Sequence, residues 1–381
     1  MGKNFEINVM MFGGRRSGKT SILAAMKECV DQVFRDEQEL GLSISSLDFD
    51  TMKALEEKNQ ELHLYYSEKD RDEAFTPDNN PTQSQRVYQF GIQLVNKPSA
   101  KLQMNFTDYP GEWLDNSSKF EQLKEIMEKT DIIMIAIDTP YLMEEARTVD
   151  AIGRYNEPKN FTGRIADMVK ENFVVPEGSI RKKMILFVPL KCEKYYNQRN
   201  LSEDRMEELN VKVKKAYEKL ITFITQGENK DRYECAIAPI FTLGNARFNR
   251  FAGNDTNASD GSNNYYIMNA KGYPDKPLYS FDIDATEPAP EYCEQPLLYT
   301  LVFLLKWAEQ TKTRKPGLLG SILGMAPLQN HSGMADTMAS RFLKIPGAKD
   351  FADRSEFLRS KLKKEGDGYE IICDPLKFKG V

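Results

Sequence analysis

At 381 residues with 40% hydrophobic content, the chain is long enough for one large domain with insertions or for two domains, and it needs no disulfide staples to fold. Its net charge of −5, with both signs interspersed, excludes a surface built for polyanions, so nucleic acid is not an expected partner. Two histidines, His63 and His331, nearly exclude His-centred metal or triad chemistry, and five scattered cysteines (Cys29, Cys192, Cys235, Cys293, Cys373) read as reduced structural thiols.

In chain order, "MGKNFEINVMMFGG" enters a strand-like run at Glu6–Phe12 without a signal-peptide core. No apolar stretch approaches the roughly 20 residues of a membrane helix, so a soluble, cytoplasmic protein is expected. A helix pattern, "TSILAAMKECV", follows the glycine-rich turn at Gly13–Thr20. Residues Leu42–Asn80 place Met52, Leu55, Leu62 and Tyr66 at helical spacing and read as a helical insertion. Further strand-like runs lie at Val87–Val95, Lys101–Thr107, Asp131–Ile137, Met184–Leu190 and Cys235–Leu243, several almost continuously apolar, as strands covered on both faces are. Between the last two, Glu203–Gln226 repeats Met206, Leu209, Val213, Ala216, Leu220 and Phe223 every three or four residues behind the N-cap candidate Ser202. Phe251–Pro296, rich in Gly, Asn, Asp, Ser and Pro, reads as a long surface excursion. The helix "QPLLYTLVFLLKWAEQ" closes the domain, and 313–381 forms an extension with short helical patterns, including "GLLGSILGMA", and a final "YEIICD" strand. Strands alternating with helices define an α/β, doubly wound architecture.

Two motifs carry chemistry. "GGRRSGKT", Gly13–Thr20, matches G-x-x-x-x-G-K-[ST] between a strand and a helix. There, the glycines let backbone N–H groups turn around phosphate oxygens, the Lys19 ammonium reaches the β- and γ-phosphates, and the Thr20 hydroxyl ligates Mg²⁺. In "LQMNFTDYPGEWL", Asp108 ends a strand and Gly111 follows three residues later. Such a carboxylate holds a Mg²⁺ shell and such a glycine brings its N–H to a γ-phosphate, whereas a plain Asp-x-Pro-Gly turn is the competing reading. Arg15 and Arg16 read first as solvated loop charges or partner contacts, and second as cations for transition-state charge. Trp113 is expected to pack in the core.

With these motifs the chain resembles the translation-factor-related (TRAFAC) class of P-loop GTPases, and within it the bacterial double-GTPase (DO-GTPase) type, over residues 5–312. The resemblance implies a mostly parallel, six-stranded P-loop GTPase domain over 1–312 with a helical insertion at about 42–80 and the excursion at 251–296. It implies GTP/GDP and Mg²⁺ as ligands. Phosphate binding falls to Gly13, Gly14, Arg15, Arg16, Ser17, Gly18, Lys19, Thr20, Ser21 and Gly111, and the metal to Thr20, Thr82 and Asp108. Thr82 stands where the family's switch threonine lies, and Glu112 where a water-positioning glutamine is common, which implies a catalytic group of Lys19, Thr82 and Glu112. The base loop, usually Asn/Thr-Lys-x-Asp, is here "LKCE": Lys191 and Glu193 match, while Leu190 replaces Asn/Thr and Glu replaces Asp. Thr242, Leu243 and Gly244 then offer backbone donors to the base.

The expected function is Mg²⁺-dependent GTP hydrolysis that switches conformation, slow because a carboxylate at Glu112 also repels the γ-phosphate. Partners are guanine nucleotide and a protein effector or regulator, with oligomerisation left open. Three alternatives remain at this point: a P-loop ATPase or small-molecule kinase, since phosphate motifs do not read the base; a nucleotide-stabilised interaction module without significant hydrolysis; and, least favoured, a second enzyme activity in the C-terminal extension.

Overall fold

A computed structural model describes residues 5–15, 17–37, 41–67, 84–95, 97–144, 156–157, 159–176, 182–196, 204–252, 278–283, 285, 287–313, 358–363 and 368–374. Ten strands occur among them: β1 Phe5–Phe12, β2 Leu42–Ser46, β3 Arg86–Leu94, β4 Lys97–Asp108, β5 Ile132–Asp138, β6 Lys183–Leu190, β7 Tyr233–Ile237, β8 Ala246–Ala252, β9 Leu278–Ile283 and β10 Glu370–Cys373. The helices are α1 Lys19–Asp36, α2 Phe49–Ser67, α3 Phe120–Glu128, α4 Thr139–Met143, α5 Thr162–Asn172, α6 Met206–Ala216, α7 Glu218–Thr225 and α8 Gln295–Thr313.

Eight strands form one sheet in the order β10-β7-β6-β5-β1-β4-β3-β2, and β8 and β9 form a separate antiparallel hairpin. The five central strands, β4, β1, β5, β6 and β7, are parallel. Antiparallel strands flank them: β3 and β2 on one side, β10 on the other. Alternation along β1 sends Ile7, Val9 and Met11 into the core under α1 and α8, and Met10 and Phe12 into the core under α3, α5, α6 and α7. Every residue of β5 and β6 is buried, which is why both read as unbroken apolar runs. Each large side chain so covered contributes about 1.5–3 kcal/mol of hydrophobic stabilisation.

The α/β, mostly parallel class expected from the sequence is therefore present, with corrections. The sheet has eight strands rather than six. One addition is β2: the start of the segment read as helical is a strand, in which only Ile44 is buried, antiparallel to β3. The other is β10, which lies within the 313–381 extension and pairs with β7 through Glu370 opposite Ile237 and Cys373 opposite Cys235. The strand expected at Cys235–Leu243 ends at Ile237, and the remainder is loop. Glu203–Gln226 is two helices broken at Tyr217, whose backbone (φ −106, ψ 22) leaves the helical region. Ser202 lies outside the described residues; Arg205 stands at the N-cap of α6, and Asp204 before it accepts from the Met206 N–H at 3.2 Å. The segment read as a surface excursion begins and ends in structure, since β8, β9 and the start of α8 fall in or overlap it.

Helix α2 starts where Asp48 accepts from the Thr51 N–H and hydroxyl, both at 2.7 Å, and Thr51 in turn accepts from the Gln89 N–H of β3 at 3.0 Å. Leu55, Leu62 and Tyr66 are buried as their spacing predicts, but Met52 is 48% exposed. The "GLLGSILGMA" stretch lies outside the described residues. Among those described, no helix is long and apolar enough to cross a membrane.

Candidate functional site

The chain leaves β1, at the middle of the sheet, with neighbours β4 and β5 on opposite sides, the crevice where doubly wound sheets take ligands. The turn between β1 and α1 depends on its glycines. Gly13 and Gly18 have φ of 150° and 105°, in the region that favours glycine. A Cβ on Gly14 would stand 2.2 Å from the Lys159 carbonyl oxygen. Lys19 opens α1, is buried, and donates to the carbonyls of Gly13 at 2.9 Å and Gly14 at 3.3 Å. Burial lowers its pKa, opposed by the Asp108 and Glu112 carboxylates. The ammonium thus curls back over the loop with acidic groups nearby.

Next to it, the Thr20 hydroxyl donates to Asp108 Oδ2 at 2.8 Å, joining two residues 88 apart in sequence. Asp108 ends β4 fully buried, and a hydroxyl beside a carboxylate is the hard oxygen pair that Mg²⁺ accepts. Tyr88 of β3 is buried close by, its phenol pKa raised by burial and by the Asp108 charge.

After Asp108 the chain turns through a 3₁₀ segment, Gly111–Asp115. Gly111 lies against the first loop so closely that a Cβ would meet Arg15 N at 2.2 Å and Gly14 C at 2.4 Å. Glu112 pairs with Arg15, Oε1 to Nε at 3.0 Å, both side chains about half exposed. Trp113 stacks on Tyr109 with ring centroids 6.1 Å apart and carries the Lys119 ammonium 5.0 Å from its ring, so it anchors the turn while only partly buried. From α5, Arg164 donates to the Leu114 carbonyl and pairs with Asp115 at 3.1 Å.

On the other side of β1, Asp138 ends β5 fully buried, and its Oδ2 takes Lys191 Nζ at 2.7 Å and Lys159 Nζ at 3.6 Å. Lys191, at a left-handed φ of 58°, begins the loop after β6. Glu193 is 6% exposed, and its Oε1 accepts from the Leu243 and Gly244 N–H groups, each at 3.2 Å. Its Oε2 is buried with no hydrogen-bond partner, and burial pushes the pKa up to about 7. The Leu243 carbonyl accepts from the Tyr66 hydroxyl of α2 at 2.6 Å, in a small apolar cluster of Leu62, Tyr66, Leu243 and Ala246.

The structure therefore gathers Gly13, Gly14, Lys19, Thr20, Asp108, Gly111 and Glu112 around one loop, with Arg15 exposed, Ser17 buried, and Gly18 and Ser21 half-buried beside them. Glu193, Leu243 and Gly244 form a second cluster next to Lys191, with Thr242 buried in the same loop. Thr82 and Arg16 lie outside the described residues. Among the described residues no group of three His, Cys, Asp or Glu could hold a metal unaided. Sequence reasoning missed Tyr88, Asp138, Lys159, Asn160 and Arg164, and read Tyr66 only as part of a helical pattern. Only Asp138 carried a local signal, an acid closing an apolar strand as Asp108 does.

A central parallel sheet, a glycine-rich turn from β1 into α1 with a buried lysine on its carbonyls, and an Asp-threonine pair across it define a P-loop protein of the GTPase fold class. The family model of double-GTPase 2 (DO-GTPase2) matches residues 7–224, and the chain belongs to that family. Among solved structures, it is similar to the Ski7 GTPase-like domain of S. cerevisiae bound to GTP, at 14% identity and a TM-score of 0.33, covering 63% of this chain and 43% of that one. The same domain bound to GDP and inorganic phosphate matches with the same identity and TM-score, covering 44% of its length. The chain thus spans less than half of the solved chains it matches. A search of curated proteins returned no match.

Proposed function

We propose that this chain binds guanine nucleotide and hydrolyses GTP to GDP and phosphate, cycling the Gly111 turn between two states. The observation that carries the reading is the Gly13–Thr20 loop: a buried ammonium resting on its carbonyls, with the Thr20–Asp108 pair at 2.8 Å beside it. Lys19 is satisfied by neutral carbonyls that phosphate oxygens outcompete, because a hydrogen bond to an anion is the stronger one. Backbone N–H groups of Gly14–Lys19 complete the cradle, and the α1 N-terminus favours the anion.

Thr20 and Asp108, with Thr82, would hold Mg²⁺; the pair fits a hard cation that takes few protein ligands and completes its shell with phosphate and water. When bound, that ion supplies neutralisation of charge developing on the phosphates. Gly111 is the γ-phosphate sensor in this reading, since it already touches the Gly14–Arg15 peptide and has no side chain to obstruct the approach. Glu112 orients the attacking water, and its pairing with Arg15 keeps the carboxylate at the loop while tempering its repulsion of phosphate. Slow unassisted turnover follows. The Glu193 carboxylate, whose Oε2 is unpartnered, accepts the guanine N1–H and N2–H₂ edge as a bidentate pair, beside Lys191 and the Thr242–Gly244 loop; adenine would present a bare acceptor to the same carboxylate.

Titration with GTP, GDP and ATP, and phosphate release with and without Mg²⁺, test the reading. Guanine-selective binding with Mg²⁺-dependent release is expected. Equal binding of ATP would favour the ATPase alternative, and binding without release the interaction-module alternative.

A further inference from the structure

Lys159 belongs to no motif, yet it sits behind the phosphate loop. Its Nζ donates to the Arg15 carbonyl at 2.7 Å and lies 3.6 Å from Asp138 Oδ2, with only 9% of the side chain exposed. Its own carbonyl fills the space that a side chain at Gly14 would need. The neighbouring residue is fixed as well. Asn160 accepts from the Asp138 N–H at 2.8 Å and donates to the Asp138 carbonyl at 3.2 Å, and its own carbonyl takes the Tyr217 hydroxyl at 3.4 Å.

One carboxylate oxygen, Asp138 Oδ2, is thus shared between Lys159, which reaches the phosphate loop, and Lys191, which begins the base loop. Leu190, just before Lys191, is buried, and its side chain lies near Gly18 of the phosphate loop. We propose that Lys159 is a positioning residue for nucleotide, which through Arg15 and the shared Asp138 locks the phosphate loop to the base loop. This rests on the nucleotide-binding reading above.

A loop whose N–H groups face phosphate must turn its carbonyls away, and the Lys159 amino group behind the loop, its pKa lowered to about 7 by burial against the pull of Asp138, holds one of them there and in its charged form strengthens that peptide's dipole. With Gly111 close against the Gly14–Arg15 peptide and Lys159 on the carbonyl of the following one, Arg15 is held at both of its peptides. Desolvating an ammonium is costly, and a residue needed only for packing could be Met or Leu.

The test uses the full chain with Lys159→Met, which keeps length and loses charge and donor, and reads dissociation of fluorescent GDP and GTP together with melting in the presence and absence of each nucleotide. Asp138 keeps Lys191 as a partner, so the nucleotide-free protein should melt near the wild-type temperature. Dissociation of both nucleotides should accelerate by about tenfold or more, the loss of one charge-assisted hydrogen bond, and the nucleotide-induced rise in melting temperature should shrink. Wild-type dissociation rates in the folded variant, or a melting loss equal with and without nucleotide, would overturn the proposal. Should Lys159→Met not fold, Lys159→Gln, which keeps a neutral donor, carries the same test with the same two outcomes. A wild-type protein that retains neither nucleotide would overturn the nucleotide reading itself and this assignment with it.

Discussion

Two carbonyl oxygens, on Gly13 and Gly14, now hold the ammonium that a triphosphate would claim. Lys19→Ala removes a buried cation held by two loop carbonyls and lying 5.6 Å over the Tyr109 ring, so the fold should persist with a small loss of stability while GTP affinity falls by about a hundredfold or more, as expected for losing several charge-assisted contacts; calorimetry beside circular dichroism checks both. Glu193 makes a second prediction, in pH. Burial raises its pKa to about 7, so the folded chain holds this proton more tightly than the unfolded one. The stability it contributes is therefore full below the unfolded carboxylate value and lost as pH rises through about 7. If Glu193 reads guanine as proposed, it does so ionised, so GTP affinity should rise between pH 6 and 8, by up to about tenfold per unit below the pKa, while ATP binding shows no such slope. Glu193→Gln keeps an acceptor for the Leu243 and Gly244 N–H groups and changes only the other arm. It should abolish the slope and favour xanthosine triphosphate over GTP, and an unchanged preference would remove Glu193 from base reading. Lys19, Thr20 and Asp108 were legible because each stands at a motif spacing next to a strand end. The contacts of Lys159 and Tyr66 were not, although helical spacing marked Tyr66 as inward-facing, because their partners lie 144 and 177 residues away.

Among the elements, α2 lies in the segment read as a helical insertion. It places Tyr66 and Leu62 on the loop that contains Leu243, whose N–H donates to Glu193. Tyr66→Phe deletes one buried hydrogen bond and leaves the Leu243 carbonyl without that donor, which should cost about 1–2 kcal/mol of stability by urea denaturation. Hydrogen exchange at Leu243–Asn245 should accelerate in the same variant, and exchange indistinguishable from wild type would sever α2 from this loop. Helical periodicity announced α2 correctly, since Leu55, Leu62 and Tyr66 do face inward. It could not reveal β2, five residues with a single buried side chain, because so short an alternation has no period to detect. Nor could it find the break at Tyr217, since the apolar stripe continues from Val213 to Leu220 across it. What the break allows is tertiary: Tyr217 reaches the Asn160 carbonyl that helps hold Lys159.

At the scale of the whole molecule, the sheet is completed by a strand from beyond the segment that the family model covers. β10 is fastened by Lys214 to Glu370 at 2.9 Å and by a buried group in which Lys306 lies 3.1 Å from Asp374 and 3.4 Å from Glu234. Burial raises Glu234 to about 7 despite Lys306. Lys306→Met would leave the buried Glu234 carboxylate facing the partly exposed Asp374 without a cation, at a cost of about 3 kcal/mol at pH 8. The loss should be smaller at pH 6, where Glu234 is protonated, and urea titrations at the two pH values compare them; equal losses would show that the charges do not hold β10. The strand pattern of "YEIICD" was readable, but its partner was not, because pairing with β7 depends on α8 and the intervening chain bringing it back. That return has a consequence during synthesis. Some 130 residues separate Ile237 from Glu370. At ~5–20 residues per second, a ribosome takes on the order of ten seconds or more to make them. Throughout that interval the outer edge of β7 is an unpaired template, and a nascent chain whose glycine loop is already made still waits for its own later residues to close that edge.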